Sequence, residues 1–122
     1  MSVDLSQFES GHHYVGDYAA DLEQIQRRLA RIQAAYILHG GRAMIAVEGW
    51  DAAGKGGAIR QLSACWDARW CDVWSIGTRM ADEADRHFLW RFWQCVPARG
   101  HISVFDRTWY CRVLVERVEA KC

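Results

Sequence analysis

The sequence predicts a three-layer α/β fold built on a parallel sheet, and three observations carry that prediction. Short apolar runs at 43–47, 71–76 and 101–105 each end at a glycine or a carboxylate, as buried strands of such sheets do. Segments of helical period lie between them, and right-handed crossovers through those helices place the strands parallel. The first run then enters a glycine-rich turn that opens a helix, which puts ligand chemistry at the carboxyl ends of the strands. We expect three strands centred on Ile45, Val73 and Val104, in the spatial order second, third, first.

Residues 1–15 mix Ser, Asp, Gly and His without a period and read as a flexible N-terminal arm, leaving 16–122 as one domain. From Asp17 to about Leu38, Leu22, Ile25, Leu29, Ile32 and Tyr36 share one helical face, with Arg27, Arg28 and Arg31 on or near the other. Gly40-Gly41 ends that helix and leads into the first strand. A helix over Ala58 to Trp66 follows the glycine-rich turn, and Cys71 to Ile76 is the second strand, closed by Gly77. Asp82 to Val96 carries Phe88, Leu89, Phe92, Trp93 and Val96 at helical spacing and is stopped by Pro97; the aromatic stripe reads as core rather than as a base-stacking surface. The run His101 to Phe105 is the third strand, delivering Asp106-Arg107 at its end, and Trp109 to Cys122 fits a period near 3.6 as a last helix.

The turn after the first strand, Gly49-Trp50-Asp51-Ala52-Ala53-Gly54-Lys55-Gly56, matches the phosphate-loop pattern GxxxxGK[ST] except at its last position. The fold class is therefore P-loop NTPase-like. Glycines at 49, 54, 56 and 57 let successive N–H groups turn inward, and the helix start adds its positive end, so an oxyanion of a phosphate chain fits there. Lys55 is a point charge on that anion. Gly56 stands where a Ser or Thr hydroxyl would hold Mg²⁺, and Asp51 inside the loop is the nearest replacement. A carboxylate facing polyanionic phosphate makes sense with a metal between them, and Asp106 converges on the same strand ends.

Composition narrows the partners. With 122 residues the chain holds one domain, short for a complete doubly wound fold, and its 51% hydrophobic content argues against disorder. Fifteen basic and fifteen acidic residues cancel, so no net field recruits nucleic acid or an acidic membrane, and a polyanion must be held by a local cluster. No apolar run approaches the roughly 18 residues of a membrane span, and Met1-Ser2-Val3-Asp4 has no basic-then-apolar leader, so a cytoplasmic location is expected. The five cysteines lack CxxC spacing, which points to reduced, packed thiols and away from zinc.

Three stretches closely resemble the polyphosphate kinase 2 family, in its polyphosphate:AMP phosphotransferase branch. They are Glu48 to Arg60, Phe88 to Trp93, and Phe105 to Tyr110 with Arg112 to Glu119, and the likeness covers about residues 20 to 119. A glycine after the loop lysine is that family's habit. The resemblance implies transfer of a phosphoryl group between inorganic polyphosphate and a nucleoside mono- or diphosphate, AMP or ADP, with Mg²⁺. It also implies the roles. Lys55 with the loop residues Gly49, Ala52, Ala53, Gly54, Gly56 and Gly57 holds phosphate, Asp51 and Asp106 bind or orient the metal, and Arg107 contacts the phosphate chain. Arg60, Arg79, Arg91, Arg112 and Arg117 are weaker carry-overs, as a basic channel. The family continues past Glu119 into a basic lid and further strands, whereas here Ala120-Lys121-Cys122 departs from the pattern. A sheet incomplete at its C-terminus is expected, with an open edge, partly exposed tryptophans and self-association into a homo-oligomer. Two alternatives stay open: a lidless polyphosphate- or nucleotide-binding fragment without turnover, and a thymidylate-kinase-like nucleotide kinase, which the choice of phosphoryl donor separates.

Overall fold

A computed structural model describes residues 13–50, 52–77, 83 and 85–110. The elements are α1 (Tyr18–His39), β1 (Ala43–Val47), α2 (Lys55–Ser63), a 3₁₀ turn (Ala68–Trp70), β2 (Cys71–Ser75), α3 (Trp90–Trp93) and β3 (Ile102–Asp106). The strands form a parallel sheet in the order β1-β3-β2, as the alternation of runs predicts. The register aligns Val47, Asp106 and Ser75 at the carboxyl ends, so the last residue of the middle strand is flanked on both sides. The path from β1 to β2 crosses the sheet one way and the path from β2 to β3 comes back, so crossovers of one hand place their helices on opposite faces.

Two apolar clusters fill those faces. On one, Ile102 and Val104 of β3 meet Ile59 and Trp66, with Leu29 and Tyr36 of α1 and Ala43, Ile45 and Val47 of β1 packed around them. On the other, Phe105 meets Phe92 and Cys95, flanked by Ile76, Leu89 and Trp109. β3 is the buried centre, with Val104 0% exposed. Burying each such side chain contributes roughly 1.5–3 kcal/mol. Cys65 and Cys71 are half-buried and Cys95 is buried, all three are free thiols, and burial pushes each upward in pKa.

α1 starts where Asp17 accepts from the N–H groups of Ala19 and Ala20, both at 3.1 Å, and ends at Gly40, whose φ of 71° suits a residue without Cβ. Its inward face differs from the expected one. Leu22, Leu29 and Tyr36 turn toward the body, but Ile25 and Ile32 are 52% and 47% exposed, and Gln33 is 3% exposed. The reason is polar. Gln33 Nε2 donates to the Asp67 carbonyl at 3.0 Å while its Oε1 accepts from the Asp67 N–H at 2.8 Å, and Gln26 Nε2 donates to the Gln61 carbonyl at 2.9 Å. These amides satisfy backbone groups in the last turn of α2 and just after it that an isoleucine would leave unpaired. Gln33→Leu is therefore expected to destabilise the chain by about 1–3 kcal/mol despite its apolar gain, read as a lower urea midpoint. An unchanged midpoint would show that the paired amide contributes nothing.

Two other expectations are corrected. α2 begins at Lys55, three residues before the expected Ala58, because the loop itself supplies the first helical hydrogen bond, Ala58 N–H to the Gly54 carbonyl at 3.0 Å. The helix expected over Asp82 to Val96 is reduced, among its described residues, to the single turn Trp90–Trp93. Around it the N–H groups of Arg86, Trp90, Phe92, Cys95 and Val96 bond three residues back, giving successive tight turns. Side chains of this segment pack on one another: Arg86 lies 4.4 Å over the Trp90 ring, and His87 stacks on Trp93. Phe92 is core, whereas Trp93 and Val96 are exposed. The helix expected to Cys122 falls mainly on 111–122, outside the described residues, as does most of the N-terminal arm.

Each of β1 and β2 pairs on one side only among the described residues, and Met44, Val73 and Trp74 are exposed on or near them. No described helix is long and apolar enough to cross a membrane.

Candidate functional site

The carboxyl ends of all three strands open into one cleft of about 480 Å³. The loop after β1 contributes Ala52, Ala53, Gly54, Lys55 and Gly56; β2 ends at the cleft with Ser75, Ile76 and Gly77; β3 delivers Asp106 and Arg107. The loop turns through two left-handed residues, Ala52 at φ 62° and Gly54 at φ 84°, and Gly54 then serves as the N-cap of α2. Among the described residues no side chain caps that helix start, and its first residues, Lys55 and Gly56, line the cleft, where free N–H groups suit an anion.

Lys55 is half-buried and bends back over its own loop, with Nζ donating to the Gly49 carbonyl at 2.9 Å and the Trp50 carbonyl at 2.7 Å. An ammonium has three N–H bonds, so the lysine can clasp the loop and still offer a donor to phosphate. Asp106 is half-buried on the central strand, and its Oδ1 is enclosed with no hydrogen-bond partner among the described residues. The residue as a whole lines the cleft, and a half-buried carboxylate there is of the donor type that hard cations take. Arg107, just beyond it, is exposed and takes φ 70°.

Other expected site residues are placed differently. Gly49 lies before the cleft as a lysine acceptor, and Gly57 sits one residue past the lining in the first turn of α2. A Cβ at Gly57 would meet nothing within 4 Å. Gly57→Ala should thus stabilise α2 by about 0.5–1 kcal/mol, seen as a higher Tm. If its N–H must approach phosphate closely, polyphosphate affinity falls in the same variant; a lower Tm would contradict the open space. Arg60 is exposed on α2 and outside the cleft lining. Arg91 is also outside it: Nη1 donates to the Gly77 carbonyl at 3.0 Å, and Nε lies 3.5 Å from Glu83, so this arginine braces the β2 end of the cleft. Asp51, Arg79, Arg112 and Arg117 lie outside the described residues.

Sequence reasoning passed over Ser75 and Ile76, which reach the cleft because β2 is in register with Asp106. The rule that ligands bind at strand carboxyl ends applies to every strand of the sheet and would have found them. It also gave no role to Glu48 or Thr108. Glu48 Oε1 accepts from the Thr108 N–H at 2.7 Å and from the Thr108 hydroxyl, joining chain segments 60 residues apart.

The family model described as polyphosphate kinase 2 matches residues 14–122. The chain belongs to the polyphosphate kinase 2 family. It is 43% identical over 124 residues to a polyphosphate:AMP phosphotransferase of Pseudomonas syringae pv. tomato, covering 99% of this chain and 24% of that protein. To the ADP-polyphosphate phosphotransferase 3 of Rhizobium meliloti it is 36% identical over 121 residues, covering 99% of this chain and 41% of the relative. The crystal structure of a polyphosphate kinase 2 from Arthrobacter aurescens TC1 superposes with a TM-score of 0.82 at 28% identity, over 93% of this chain and 47% of that one. The chain thus spans about a quarter of the Pseudomonas relative that it matches. In this polyphosphate kinase 2 chain the α/β arrangement is P-loop NTPase-like, with the glycine-rich loop following an outer strand of the described sheet and Asp106 on its middle one.

Proposed function

We propose that this chain is the phosphate-binding part of a cytoplasmic phosphotransferase that moves a phosphoryl group between inorganic polyphosphate and AMP or ADP. The observation that carries the reading is the convergence, in one cleft, of a phosphate loop, its lysine and the Asp106-Arg107 strand end. The printed names of the family relatives, polyphosphate:AMP and ADP-polyphosphate phosphotransferase, supply the substrate class.

The chemistry asks for alignment and charge rather than a covalent nucleophile. The bridging P–O bond to the terminal phosphorus of the chain breaks as an oxygen of the acceptor phosphate bonds to that phosphorus, and the shortened chain leaves with the bridging oxygen as its new terminal oxyanion. The attacking acceptor oxygen is already ionised near neutral pH, since the second pKa of a phosphate monoester is about 6, so no general base is required. The N–H groups at the start of α2 hold phosphate oxygens, Lys55 neutralises them, and Arg107 steadies the chain from the other side of the cleft. Mg²⁺ is the cation proposed here: the Asp106 carboxylate on the cleft lining would offer a hard oxygen, phosphates and water would supply others, and Asp51 is the second carboxylate proposed for it. When bound, the ion offsets negative charge on the transferring group.

The test is product formation from AMP and from ADP with polyphosphate and Mg²⁺, beside ATP as the alternative donor. ADP or ATP formed at the expense of polyphosphate is the expected result. Turnover with ATP and a nucleoside monophosphate alone would favour the thymidylate-kinase-like alternative. Polyphosphate binding without turnover would leave a binding module.

A further inference from the structure

The three residues that leave β3 are each fastened to a different neighbour. The Asp106 carbonyl accepts from the Ile76 N–H at 3.0 Å, the Arg107 N–H donates to the Val47 carbonyl at 3.1 Å, and the Thr108 N–H and hydroxyl both donate to Glu48 Oε1. The first two fastenings are main chain to main chain, and almost any sequence makes them. The third depends on a side chain. Thr108 is 1% exposed, so its polar groups have little access to water in place of the carboxylate.

Between these anchors Arg107 holds φ 70°, a left-handed conformation that a residue with Cβ keeps only when its surroundings fix it. Glu48 directly follows β1 and precedes Gly49, whose carbonyl holds Lys55. One carboxylate therefore spans from the root of the phosphate loop to the turn that aims Arg107. Glu48 is not part of the cleft lining, and an ionised acceptor phosphate needs no base from it.

We propose that Glu48 is a positioning residue: through Thr108 it holds the left-handed turn at Arg107, so that Arg107 and Lys55 address the same phosphate chain. The proposal rests on the phosphotransfer reading, and its test separates the two. In the 122-residue chain, Glu48→Ala should weaken Mg²⁺-polyphosphate binding about tenfold or more, since two hydrogen bonds to a charged acceptor are lost. Glu48→Gln should recover most of that, because an amide oxygen still accepts both bonds. Arg107→Ala should cost much less in the Glu48→Ala background than in the parent, since an unheld arginine has little left to lose. Amide exchange at Thr108, read without ligand, should accelerate in Glu48→Ala and stay slow in Glu48→Gln. Additive effects of Glu48→Ala and Arg107→Ala would overturn the proposal, as would Glu48→Gln being as damaging as Glu48→Ala. If the parent does not bind polyphosphate, the phosphotransfer reading fails, and unchanged Thr108 exchange in Glu48→Ala would independently sink the positioning role. Thr108→Val, which removes the hydroxyl bond but keeps the N–H bond, should give a smaller loss; a larger one would also count against it.

Discussion

Asp106→Asn is expected to weaken Mg²⁺-dependent binding of polyphosphate by about tenfold or more while leaving binding in chelator unchanged or improved. The asymmetry follows from charge. Alone, a carboxylate repels phosphate, and it helps only through a cation placed between them. The substitution isolates that charge because Asp106 is held in the sheet by its main chain, pairing in register with Val47 and Ser75, and an amide keeps its shape. The effect is large because Asp106 is the carboxylate that the described residues bring to the cleft lining. Calorimetric titration of parent and variant in Mg²⁺ and in chelator reads both arms. Equal affinity in Mg²⁺ would remove Asp106 from the metal site.

Lys55→Ala should lose phosphate affinity in Mg²⁺ and in chelator alike, by about 10- to 100-fold, the equivalent of a charge-assisted hydrogen bond. The lysine acts directly on phosphate oxygens, so no cation mediates its contribution. A second consequence comes from its contacts. Nζ clasps the Gly49 and Trp50 carbonyls, so its removal frees a loop that already carries a left-handed Ala52. Trp50 is 89% exposed and serves as a reporter: its fluorescence anisotropy should fall in Lys55→Ala, although the other tryptophans require their contribution to be subtracted. A chelator-insensitive parent with a Lys55→Ala variant of full affinity would show that phosphate does not use this loop.

Much of the cleft's backbone was legible because its parts are local. A glycine that must turn at φ 84°, a lysine one residue later and a helix that starts there all lie within a few residues, and the pattern of residue types records the backbone they need. Asp106-Arg107 was legible because a buried strand announces its own end. Arg91 was not, because its partners, Glu83 and the Gly77 carbonyl, are chosen by how the turns after β2 fold over the sheet. Nothing in the spacing of a charged residue says whether it faces a ligand or braces a loop.

By itself the sequence determined the glycine-rich turn into α2, the parallel sheet with β3 in the middle, and both ends of α1 at Asp17 and Gly40. Each depends on short-range demands, such as capping, positive φ, the period of apolar residues and the hand of crossovers. Only the tertiary structure decided that Gln26 and Gln33 rather than Ile25 and Ile32 face inward, that the aromatic segment keeps a single helical turn, and that Glu48 meets Thr108. Those outcomes balance the desolvation of particular backbone groups against partners 34 to 60 residues away, a competition that no local window of the chain contains.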